Sequence, residues 1–270
     1  MNTPTETNVK YFEVIRALHK GGLSLWLNHK TLLPMTMIPT IVTFLTLMVS
    51  RIDFYKDASP FQLALLQIPA DFITGIFCSL VIFIILNAPS KKDKDAPVMF
   101  QLNILERKDL LIGGAVTYMI FGYLIGGAYG AMEMIFKPMQ AAAENQEAFD
   151  TSLFLPLIAF MVIILYAMRF AILPILVIAE VDVVAFFKKF RGFGFSLPIF
   201  FVKAATALAV GLFLYIPLQG IFGVEEDVAG LPSQMAILDF GFAFGAVIAA
   251  AWGSAALAIG YRQMSENTQP

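Results

Sequence analysis

The sequence predicts an all-α, polytopic membrane protein: a six-helix transmembrane bundle, with amphipathic helices lying at the interface before the first span and between later ones. Three observations carry this. Apolar residues fill 59% of the 270 positions and charged residues only 14%, against about 45–50% and about 25% in soluble domains. Six runs approach or exceed the roughly 20 apolar residues that a helix needs to cross a bilayer. None of the six alternates with the two-residue period of a transmembrane barrel strand.

Residues 1–30 form the segment before the bundle. Within 9–27, Phe12, Ile15 and Leu18 make an apolar stripe, and Lys10, Glu13, Arg16 and Lys20 lie off it. That pattern predicts a short interfacial helix, ended by Gly21-Gly22. The polar start MNTPTETNVKYFEV has no basic n-region and no small-residue cleavage pattern, so a retained N-terminus is expected. The bundle proper occupies 31–262. Its spans are expected at Leu32–Ser50, Ile68–Ala88, Leu110–Phe136, Leu153–Ala179, Leu197–Phe222 and Ala236–Tyr261, with a polar tail at 263–270. Between spans four and five, residues 183–195 interleave Phe186, Phe187, Phe190, Phe193 and Phe195 with Lys188, Lys189 and Arg191. The rings are expected to enter the acyl boundary while the cations meet anionic head groups. Anchoring and specific head-group recognition both fit that pattern.

Lys and Arg set the orientation. If the N-terminus is cytoplasmic, 13 of the 18 cations fall in inner segments, three (Arg51, Lys56, Lys137) fall outside, and Arg169 and Lys203 lie within spans. The positive-inside rule then puts both termini in the cytoplasm, and the expected location is the bacterial inner membrane. The outer loops carry Glu144, Glu147 and Asp150, then Glu225, Glu226 and Asp227. They lack the ligand spacing of a calcium loop.

Several functions are excluded. A net charge of −2 offers no basic footprint for nucleic acid. One cysteine, Cys78, and two histidines, His19 and His29, leave no material for a disulfide or a Cys/His metal centre. No P-loop, dinucleotide fingerprint or His-Glu zinc motif is present. The expectation is therefore a protein without enzymatic activity, cofactor or metal.

Polar groups inside the spans need an explanation. Arg169 costs at least about 2.5–3.5 kcal/mol near the bilayer centre unless it finds a partner or water. If span four runs unbroken, Arg169 shares a face with Glu180; if Pro174 ends or kinks it, Arg169 lies one turn from the interface and snorkels. Lys203 is expected to snorkel to the inner head groups. Asp71, Glu133 and Asp239 are expected near the outer ends of spans two, three and six, either as an acidic vestibule or as separate groups near water. Small residues recur at Gly122, Gly126 and Gly130 and at Gly241, Gly245 and Gly253. They mark close helix contacts, with each other or with a second copy. Pro34, Pro39, Pro69, Pro156, Pro174, Pro198 and Pro217 lie in or beside spans, and several are expected to kink them.

The run from Arg169 to Glu180, RFAILPILVIAE, is similar to a step in YciC-like six-span bacterial proteins and in the membrane domain attached to some glycerophosphodiester phosphodiesterases. In those families a Leu-Pro-x-x-Val step leaves a span ahead of an interfacial segment; here it is Leu173, Pro174 and Val177. The likeness covers about residues 155–220. It departs where FFKKFRGFGF replaces a Ser-containing segment, and no phosphodiesterase residues are present. The resemblance implies an integral inner-membrane protein. The absent motifs, short loops and small-residue faces point first to a scaffold or accessory subunit, with a membrane-protein partner or a second copy of itself. The alternative is a small-solute transporter or channel using Arg169 and the outer carboxylates, and a membrane-embedded lipid enzyme is disfavoured because no His, Ser or acidic cluster meets at one depth. The bilayer, with anionic lipids at the cytoplasmic face, is the expected surrounding.

Overall fold

The computed structural model describes residues 13–52, 58–87, 107–144, 154–189, 193–222 and 232–266. Among them the structure is helical without strands, and six helical runs are long and apolar enough to cross a membrane. The chain is an all-α, multi-pass membrane protein. The spans run over His29–Ser50, Phe61–Leu86, Lys108–Ala128, Leu155–Ile178, Gly194–Ile221 and Met235–Ser265.

The helix α1, Val14–Leu27, precedes the first span, α2, His29–Ser50. It does not end at Gly21-Gly22. It continues for a turn beyond them, and its buried face is Ala17 and Gly21, whereas Ile15 is 84% exposed. Phe12 lies outside the described residues. The cause is tertiary. A Cβ at Gly21 would stand 2.8 Å from the backbone nitrogen of Ala256, so the two glycines let α1 lie directly on the last helix, α10, Pro232–Glu266. The indole N–H of Trp252 on α10 donates to the Leu18 carbonyl at 2.8 Å.

Span two, α3, covers Pro60–Leu86 and starts eight residues before the expected Ile68. Ser59 caps it: its hydroxyl accepts from the Gln62 N–H, and the Gln62 side chain accepts from the Ser59 N–H. This is a capping box with Pro at the first helical position. Span three, α4, runs Lys108–Glu144 and packs along α3. A Cβ at Gly75 would meet the Ala115 carbonyl at 2.9 Å, so the two backbones touch there.

Spans four and five are both interrupted. Span four comprises α5, Phe154–Ala167, a 3₁₀ stretch over Met168–Ile172, and α6, Leu173–Ile178. Pro174 has no N–H to donate back to Phe170, and the chain tightens ahead of it. Glu180 then turns the chain with φ 54°, and α7, Val183–Lys189, follows. Span five comprises α8, Phe193–Val210, a π stretch over Gly211–Tyr215, and α9, Ile216–Phe222, with Pro217 just past the π stretch.

The core lies where α1, α3, α6, α8 and α10 meet. Ile82, Ile172, Ile175, Leu176, Phe195, Ile199, Val202 and Leu257 are essentially inaccessible. Phe186 and Phe195 belong to this core, not to the lipid boundary: their rings pack edge to face at 5.5 Å, and Phe186 also meets Tyr261. The other halves of spans four and five face outward, with Leu155, Ile163, Phe213 and Ile221 well exposed.

Candidate functional site

The early start of α3 sets the depth of Asp71. Eleven residues separate it from Pro60, which places it about 16 Å along the helix. Asp71 therefore sits about three turns into α3, not in its first turn. Its carboxylate lies against Gly122 of α4, where a Cβ would stand 2.7 Å from Oδ2. Only glycine leaves that space. Among the described residues Asp71 has no hydrogen bond or ion pair. It lines a cavity of about 330 Å³ between α2, α3, α4 and α10, together with Gln67, Thr74, Tyr118 and Gly122. A cavity of this size has room for several waters.

Polar groups continue from the cavity toward the end of the bundle that holds α1. Tyr118 shares the cavity wall with Asp71 and lies beside the Cys78 thiol. Cys78, fully buried, also meets the Ser254 hydroxyl of α10. Lys203 of α8 completes the row. Its Nζ is 5.8 Å from the Tyr118 ring centroid and 3.4 Å from where a Gly253 Cβ would be. Lys203 is thus turned into the bundle and does not snorkel. The flat glycine surface at 253 admits its chain, and the Tyr118 ring supplies a cation–π contact in place of head groups. Asp71, Tyr118, Cys78, Ser254 and Lys203 form one row contributed by α3, α4, α8 and α10.

The other sequence-derived candidates lie elsewhere. Asp239 is buried and accepts from Arg51 at 2.6 Å, so it caps the end of the bundle away from α1 and shares no vestibule with Asp71. Glu133 is on α4, but its side chain lies outside the described residues. Arg169 and Glu180 do not pair. The 3₁₀ stretch breaks their common face, and Glu180 binds Arg107 instead. Arg169 stacks over Tyr166, Phe170 and Phe187, at 4.4, 5.2 and 4.8 Å from their centroids, and donates to the Tyr166 hydroxyl. Phe190 and Arg191 lie outside the described residues. Lys188 is exposed at the end of α7.

The two small-residue rows do not pack on each other. On α4, Asp71 fills the space before Gly122, and Ala64 comes within 3.6 Å of a Cβ at Gly126; Gly130 follows on the same helix. On α10, Leu218 faces Gly241, Val210 and Leu214 face Gly245, and Lys203 and Thr206 face Gly253. The row on α4 receives α3, and the row on α10 receives span five.

Sequence reasoning missed Tyr118, Cys78 and Ser254 as members of the row. Each is an ordinary core residue until the packing of α3, α4 and α10 is known. The depth of Asp71 did have a signal, the Ser59-x-x-Gln62 capping box.

No protein family, curated protein or solved structure matches this chain. Nothing in those comparisons bears on the likeness of residues 155–220 to the six-span families named above.

Proposed function

We propose that the chain is a transporter or channel for a small polar solute, with Asp71 as the group that draws in a cation or proton. The observation behind this reading is the Asp71 carboxylate itself, unpartnered among the described residues and facing a cavity between the spans, about three turns into α3. An ionisable residue at that depth is costly, and its usual reason is a solute or proton path. The interrupted spans four and five agree with a moving part, because broken helices expose backbone groups to a solute and supply hinges. In this reading the protein sits in a bacterial inner membrane, with the positively charged loops and both termini in the cytoplasm.

The second reading is an accessory subunit, favoured by the outward-facing Leu155, Ile163, Phe213 and Ile221, which a partner or lipid would cover. Its weakness is that Gly122, Gly126, Gly241, Gly245 and Gly253 are already occupied from within the bundle. That leaves these small-residue faces unavailable to a partner.

The test is water access. Thr74→Cys in a Cys78→Ser background is treated with a small, charged methanethiosulfonate reagent in proteoliposomes. The transport reading expects rapid modification, and charge displacement on a solid-supported membrane that Asp71→Asn removes. A Thr74→Cys thiol that reacts no faster than a lipid-facing control sinks the reading.

A further inference from the structure

Arg169 stands apart from the polar row, and its surroundings point to a ligand. It lines a pocket of about 460 Å³ with Tyr166, Phe170, Val183, Val184, Phe187 and Lys188, between the 3₁₀ stretch of span four and α7. Three rings hold the guanidinium in place. Its Nε is buried and has no hydrogen-bond partner. Among the described residues neither Arg169 nor Lys188 has a carboxylate partner. The two nearby acids are engaged elsewhere. Glu180 binds Arg107, and Asp182 accepts from the Val184 and Ala185 N–H groups at the start of α7. Two cations therefore face one pocket with no anion supplied by the described residues.

The position of the pocket along the spans favours a lipid as the source of the anion. The Ser196 hydroxyl donates to the Tyr166 carbonyl at 3.5 Å, and Ser196 is only three residues into α8. Arg169 is one turn beyond Tyr166, level with the first residues of span five, and the ends of a span are the parts that lie nearest the head groups. A guanidinium at the pocket wall matches a phosphate oxyanion, and the flanking rings match the glycerol and upper acyl carbons of a lipid.

We propose that Arg169 and Lys188, framed by Tyr166, Phe170 and Phe187, bind the phosphate of an anionic phospholipid head group at a defined site. This is independent of whether the bundle transports anything.

The experiment is native mass spectrometry of the detergent-purified, delipidated full chain, titrated with phosphatidylglycerol, phosphatidylcholine or inorganic phosphate. One phosphatidylglycerol is expected to bind per chain, with phosphatidylcholine markedly weaker. Arg169→Gln is expected to weaken phosphatidylglycerol by about tenfold or more, the scale of a lost charge-assisted hydrogen bond. Arg169→Lys recovers part of that loss. Lys188→Gln, at an exposed position that does not threaten folding, lowers affinity several-fold. If inorganic phosphate alone binds and displaces phosphatidylglycerol, the phosphate site stands and its ligand is soluble. Equal binding of the two lipids, or unchanged phosphatidylglycerol binding in both Arg169→Gln and Lys188→Gln, overturns the proposal.

Discussion

The Asp71 carboxylate occupies the space directly in front of Gly122: a Cβ on residue 122 would stand 2.7 Å from Oδ2 and 3.0 Å from Cγ. Gly122→Ala must therefore move the carboxylate. Because Asp71 has no hydrogen bond or ion pair among the described residues, it can rotate, and the cost to stability is small. Its position in the cavity is what changes. The melting temperature is expected to stay close to wild type, while modification of a Thr74→Cys thiol slows several-fold. Gly220→Ala is the control, since a Cβ there would meet nothing within 4 Å and the residue does not line the cavity, so both readouts should stay as they are.

Gly21 and Gly75 behave differently, because what stands in the way is backbone. A Cβ at Gly21 meets the Ala256 nitrogen at 2.8 Å, and one at Gly75 meets the Ala115 carbonyl at 2.9 Å. Neither can rotate aside. Gly21→Ala and Gly75→Ala are each expected to cost about 1–3 kcal/mol by overpacking. Gly21→Ala should also free α1 to proteases. Gly220→Ala has nothing within 4 Å and should be neutral. Thermal unfolding in detergent orders the three, and a destabilised Gly220→Ala with an unchanged Gly21→Ala would contradict the packing.

How much of this was legible depends on which physics sets each feature. The number of spans follows from apolar content within a single run of chain, so it can be read without tertiary contacts. The length of α1 cannot. Gly21-Gly22 is a stop signal for an isolated helix, and it is overruled here because Ala256 lies against it. The depth of Asp71 was readable in principle, since Ser59 and Gln62 form a capping box in sequence as in structure. An apolar-run criterion hid it, because Gln62 and Gln67 dilute the first turns of α3. The direction of Lys203 was not readable at all, because it depends on the Gly253 surface of another helix.

Arg51 and Asp239 form an asymmetric pair. The Arg51 side chain is 51% exposed and that of Asp239 only 8%. Asp239→Asn leaves an arginine that still reaches water. Arg51→Gln leaves a buried carboxylate with no cation partner among the described residues, and its Oδ2 already lacks a hydrogen bond. Removing the exposed member is therefore the costlier change, because desolvation of the stranded charge dominates. Arg51→Gln is expected to lower the melting temperature more than Asp239→Asn, and the double variant should recover part of the loss. Equal effects from the two single changes would show that Asp239 is wetter than its burial implies.

Cys78 is the chain's single cysteine and a ready probe of the polar row. It is fully buried, and Tyr118, which lies beside its thiol, lines the cavity that Asp71 also lines. In the native protein a small charged methanethiosulfonate should reach Cys78 only through local opening, so modification is expected to be at least about a hundredfold slower than in denatured chain. Tyr118→Ala removes the ring and joins the thiol to the cavity. If that cavity is wet, modification should then accelerate by about tenfold or more, with the denatured rate unchanged, because the reagent no longer waits for local opening. Ser254→Ala, which removes a hydroxyl beside the thiol that does not line the cavity, should leave the slow rate as it was. A Tyr118→Ala protein whose Cys78 stays as slow as wild type would mean that the row from Asp71 to Lys203 is dry, and the solute path would have to lie elsewhere in the bundle.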